Sequence, residues 1–129
     1  MNDACKLTVF GSVGAFLVAT LTVETDASAK APAAPAAFAR CAACHSVVRG
    51  APNKMGPNLA GIVGSKAATR PGGRYSPALK KSGIVWNKAN LAAYLKNTQT
   101  TVPGTTMPNP NISKTADSDA IIAYLTASK

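Results

Sequence analysis

The chain has 129 residues, with 14 Lys and Arg against 5 Asp and Glu and a formal net charge of +9. That length holds one domain. At 47% hydrophobic residues it is too apolar for a disordered tail, and only one stretch approaches a membrane span in length, which excludes a polytopic membrane protein. Three cysteines, about 2% of the chain, fall far below the roughly 8–10% of a disulfide-built secreted domain.

The first element comes off the fold. Residues 7–23 carry no charge and are preceded by Lys6 and followed by Glu24, Asp26 and the small residues Ala27, Ser28 and Ala29. At 1.5 Å per residue this run reaches about 25 Å, short of the ~30 Å hydrocarbon core, and Gly11, Ser12, Gly14 and three threonines dilute it. The pattern predicts a secretory signal over residues 1–29, cleaved after Ala29, although Asp3 weakens the basic start. An uncleaved anchor is the alternative. Cleavage removes Cys5, Lys6, Asp3, Glu24 and Asp26, leaving 13 basic and 2 acidic residues, a formal +11.

Residues 30–35 form an Ala/Pro-rich lead-in that cannot be helical, because two of the six are prolines. A helix is predicted from Pro35 into Cys41. Between residues 46 and 73 glycines and prolines recur too often for a long element, with room for one or two helical turns over residues 58–64. A short helix is predicted at residues 77–82. Asn87 then caps a helix presenting Leu91, Tyr94 and Leu95, and Asp117 stands near the start of another whose Ile121, Ile122 and Leu125 share a face. Residues 101–111, with Pro103, Gly104, Pro108 and Pro110, are loop. Neither alternating β-type runs nor a phosphate-cradling glycine loop occurs in the sequence. Such a small all-α domain buries a thin core and needs a staple, a metal or a large ligand.

The ligand is announced by Cys41-Ala42-Ala43-Cys44-His45. Residues i and i+3 of a helical turn point the same way, so both thiols can add to the vinyl groups of one haem, with His45 held beneath the iron. A thioredoxin-like pair would follow a strand, where this chain has an Ala-rich helix, and zinc would lack a fourth donor. His45 is the only histidine, so the second axial position is Met, Lys or open. Of the methionines after the leader, Met55 hangs on a short tether on the His45 side. Met107 follows a whole helix, in a Pro/Gly-fixed loop able to close over the opposite face.

Taken with Gly56-Pro57-Asn58-Leu59, Gly83-Ile84-Val85-Trp86 and Pro103-Gly104-Thr105-Thr106-Met107-Pro108, the motif makes residues 36–128 resemble a class I cytochrome c of the soluble mitochondrial and bacterial type. The resemblance implies an all-α fold in which four or five short helices and long loops wrap one covalently bound haem c, with residues 36–129 as the domain. It implies thioether attachment at Cys41 and Cys44, His45 as proximal and Met107 as distal iron ligand, and Pro57 as carbonyl acceptor for the histidine Nδ1 proton. Trp86, Tyr75 and Thr105 match residues that bond or enclose the haem propionates. Tyr94 matches a tyrosine aimed at the methionine sulfur, and Ile121, Tyr124 and Leu125 match a C-terminal helix face that crosses the N-terminal helix. There are departures. Ser65 stands where the family often has an arginine near a propionate, leaving Arg70 or Arg74 as replacements, and Thr106 and Asn109 alter the exposed haem edge. Phe38 lies three rather than four residues before Cys41.

The implied function is periplasmic electron transfer by a monomeric, non-enzymatic single-haem protein that binds no small-molecule substrate. Its partners would be acidic redox proteins (a reductase, oxidase or dehydrogenase) meeting Lys54, Lys80, Lys81 and Lys96 around the haem opening. Contact with a membrane would require an uncleaved leader. The competing enzyme reading, a peroxidase or gas sensor, leaves Met107 off the iron. Nucleic-acid binding fails for want of a basic helix with interleaved aromatics.

Overall fold

Local chain chemistry explains where each helix begins. The structure is a computed structural model that describes residues 32–129; the predicted leader and the first two residues of the lead-in lie outside them. A 3-10 turn at Ala36–Phe38 runs into α1, Ala39–Ala42. Helix α2, Pro77–Lys81, starts where the Ser76 side chain accepts from the Leu79 N–H and Pro77 fills the first helical position, a place with no backbone donor to lose. The Asn87 side chain accepts from the Asn90 N–H and opens α3, Lys88–Lys96. Helix α5, Thr115–Ala127, carries Asp117 in its first turn, where a negative charge complements the helix dipole.

Two expectations are corrected. Residues 58–64 contain turns, not helix: Gly61 and Gly64 both adopt positive φ, which ends any right-handed run. A four-residue helix, α4 at Thr98–Thr101, precedes the predicted loop and takes only Thr101 from it. Asn97 produces it by capping with its side chain, accepting from the Thr100 N–H, while its own N–H closes α3 on the Ala93 carbonyl.

The helices pack as a cage. α3 meets α4 and α5, and α5 crosses the 3-10 turn. Phe38 stands edge-on to Tyr124 with ring centroids 4.8 Å apart at that crossing, and Ile121 is 0% exposed. Lys88 and Asp119 form a 3.1 Å ion pair between α3 and α5; both are exposed enough to contribute little. The sole β-type pairing among the described residues is an isolated bridge between Lys66 and Val85. No helix among these residues is long and apolar enough to cross a membrane.

The α5 crossing generates a stability prediction. Ile121→Ala should lower holoprotein stability by about 2–5 kcal/mol in denaturant unfolding, whereas Ala123→Ser, on the exposed face of α5, should stay within about 0.5 kcal/mol.

Candidate haem site

The cage encloses one apolar cavity of about 300 Å³. α1 brings Cys41 to its wall, and the chain continues at once into Cys44 and His45, held by hydrogen bonds from the Cys44 and His45 N–H groups to the Cys41 carbonyl. Burial, and secondarily Cys44, pushes the Cys41 thiol pKa up, so that sulfur remains a thiol until it reacts.

His45 is buried, and its Nδ1 lies 2.7 Å from the Pro57 carbonyl oxygen. A carbonyl can only accept, so Nδ1 carries the proton and Nε2 presents a lone pair. Burial lowers the imidazole pKa, the Pro57 bond opposes this, and the Lys54 charge lowers it further. The neutral, metal-binding form is therefore favoured. Gly56 makes the approach feasible, since a Cβ there would collide with the His45 ring. The loop is tied to the end of α1 by Gly56 N–H to the Cys44 carbonyl at 2.8 Å and Leu59 N–H to the Ser46 carbonyl at 2.7 Å.

Met107 lines the same cavity, half-buried, at the end of a clip that begins at Asn97. Thr98, fully buried, donates its hydroxyl to the Met107 carbonyl at 3.3 Å. Gln99 donates to the Thr105 carbonyl at 2.7 Å and accepts from the Gly104 N–H at 3.1 Å. The sequence reading overlooked Asn97, Thr98 and Gln99; an Asn followed by polar residues just past a helix was the available capping signal.

Every predicted site residue reaches this cavity. Pro57, Tyr75, Trp86, Tyr94 and Thr105 line it together with the cysteines, His45 and Met107. Trp86 and Tyr94 pack with centroids 4.9 Å apart. The Tyr94 hydroxyl, expected at the methionine sulfur, instead pairs with Thr105 Oγ1 at 2.8 Å. Met55 also lines the cavity but is 79% exposed, with its sulfur 3.9 Å from Cys44 Sγ. Of the four lysines assigned to the opening, all exposed, Lys54 is engaged: its ammonium donates to the Ala42 carbonyl at 2.8 Å.

These residues fit a haem. Two thiols one helical turn apart, a buried imidazole with its distal nitrogen unprotonated, and a thioether share a cavity whose remaining walls are largely hydrocarbon, among them Leu59, Ile62, Leu79, Leu91 and Leu95. Cys41 and Cys44 are placed to hold the macrocycle covalently. Among the described residues no alternative cluster of His, Cys, Asp and Glu could take a metal.

Comparison with known proteins agrees. The family model described as cytochrome c matches residues 31–129. Cytochrome c2 of Rhodoblastus acidophilus is 44% identical over 92 residues, covering 71% of this chain and 86% of that protein. Cytochrome c-550 of Nitrobacter winogradskyi is 42% identical over 93 residues, with 72% and 85% covered. The solved structure of cytochrome cH from Methylobacterium extorquens superposes with a TM-score of 0.64 at 47% identity, covering 69% of this chain and 89% of that one. A CxxCH turn on the wall of an apolar cage, with this family match across the whole described domain, leads to one conclusion: the chain belongs to the cytochrome c family, as a class I, single-haem electron-transfer protein whose cofactor is haem c.

Proposed function

We propose that this protein is a periplasmic carrier of single electrons, with His45 and Met107 as the axial iron ligands and no substrate of its own. The observation that carries the reading is that Cys41, Cys44, His45 and Met107 all open on one apolar cavity. The haem, when bound, supplies an iron that alternates between Fe(III) and Fe(II). The chain's residues do the rest. Pro57 fixes the His45 tautomer and ring plane, and the hydrocarbon walls exclude water. A soft thioether at Met107 favours Fe(II) and raises the potential.

The propionate edge is assigned to Tyr75, Trp86 and Thr105. Tyr94 acts through Thr105, whose Oγ1 also lies 3.5 Å from the Met107 N–H, so it orients the methionine loop. Residues 1–29 act as a leader cleaved after Ala29. The secreted chain works as a monomer, its +11 charge steering it to an acidic redox protein. Lys80 and Lys81 end α2, whose Leu79 lines the cavity, and Lys96 ends α3.

Three measurements test this reading. Cys41→Ala or Cys44→Ala should retain at most one thioether, and the double variant should release its haem into acidified organic solvent. Met107→Ala should lower the midpoint potential, abolish the far-red charge-transfer band of ferric methionine-ligated haem and admit cyanide, while Met55→Ala does none of these; exchanged results would reverse the assignment. The bimolecular electron-transfer rate with an acidic partner should fall as salt shortens the Debye length from ~10 Å at 0.1 M to ~3 Å at 1 M. A rate that stays flat or rises would point to an apolar docking face.

A further inference from the structure

Four sulfur-bearing side chains line the haem cavity: Cys41, Cys44, Met55 and Met107. The haem reading uses three of them, two for attachment and one as an iron ligand. Met55 is left over. Cys41 is buried and Cys44 and Met107 are half-buried, whereas Met55 is 79% exposed, the most exposed large apolar side chain among the described residues.

The backbone holds Met55 in that position. The Lys54 N–H donates to the Gly56 carbonyl at 3.1 Å, closing a tight turn with Met55 at its tip, and the Gly56 N–H donates to the Cys44 carbonyl at 2.8 Å. The Lys54 ammonium adds a bond to the Ala42 carbonyl at 2.8 Å. A side chain on so closely tied a turn cannot withdraw into the core. It stands at the cavity wall with its sulfur 3.9 Å from Cys44 Sγ, so a reagent approaching the attachment sulfur from this side meets Met55 first.

A thioether takes an oxygen atom from two-electron oxidants, provided the reagent can reach the sulfur lone pair. At Met107 the sulfur is half-buried and, under the proposed ligation, its lone pair is given to iron. We propose that Met55 is an oxidation site, a sacrificial thioether that intercepts oxidants of the hypohalous-acid class before they reach the sulfurs of Cys44 and Met107. With hypochlorous acid, an S–O bond forms at Met55 Sδ and the O–Cl bond breaks. The sulfur loses two electrons, the chlorine takes them and leaves as chloride, and the proton passes to water. A dithiol-dependent sulfoxide reductase reverses the step, releasing the oxygen as water while two thiols become a disulfide. Because Met55 lies outside the proposed ligand set, the carrier keeps its spectrum and potential through the cycle. The proposal rests on the haem reading for what is protected, while the exposed sulfur itself is independent of it.

The test treats ferric holoprotein, so that Fe(II) does not consume the reagent, with one molar equivalent of hypochlorous acid and locates the added oxygen by peptide mass spectrometry. Met55 should carry it about tenfold more often than Met107 or Cys44, with the ferric methionine band and the midpoint potential unchanged. Met55→Leu keeps the volume without the reactive sulfur, so the same dose should oxidise the Met107 or Cys44 sulfur and bleach the band. Methionine sulfoxide reductase with a dithiol should restore Met55 in the treated native protein and its capacity for a second equivalent. Oxygen distributed equally over Met107 or Cys44 in the native protein would overturn the proposal, as would a Met55→Leu variant that loses the band at no lower dose than native. Absence of the ferric methionine band before any oxidant is added would refute the axial-ligand reading instead, and the order of Met55 against Cys44 would still decide the proposal.

Discussion

The hydrogen bond between His45 and the Pro57 carbonyl is the constraint on which the rest of the structure depends. It sets one imidazole nitrogen as donor and leaves the other with its lone pair free, and it requires the backbone of residues 56–57 to pass directly against the ring. Only glycine at position 56 permits that approach. Cys44, one residue earlier, is fixed by the same helical turn that fixes Cys41, so the two thiols and the imidazole share a rigid origin. The remaining elements are arranged to cover what this corner exposes.

Core and site are accordingly one object. Phe38, Ile62, Leu79, Trp86, Leu91 and Leu95 are among the most buried apolar residues, and each of them also faces the cavity. In a domain this small the helices have little apolar surface to bury on one another. A haem in the cavity would add the apolar contact these helices cannot make with one another, so short helices and long loops would suffice.

The parts most legible in the sequence were those written in local chemistry. The CxxCH motif, the Asn87 cap and the apolar face of α5 each depend on residues a few positions apart, and each lies where the spacing placed it. Two local signals were misjudged: the positive-φ glycines that replace a helix over residues 58–64, and the second cap at Asn97. Long-range pairings were harder to read. Nothing within a few residues of Tyr94 indicates that its hydroxyl meets Thr105 eleven positions later, since that depends on how α3 and the methionine loop lie across each other.

Asn97 ends one helix and begins the next, and from there to Met107 the chain closes on itself through Thr98 and Gln99. Those bonds run within the clip, while Tyr94 and Thr105 join it to the cage. A segment whose side-chain hydrogen bonds close mostly on itself can move as a cooperative unit, once the packing of Thr98 and Val102 against the cage is given up. Under the proposed ligation, reversible departure of Met107 is then a property of an eleven-residue latch, set by the strength of its clasp at Thr105 and separable from the covalent anchorage on the other side.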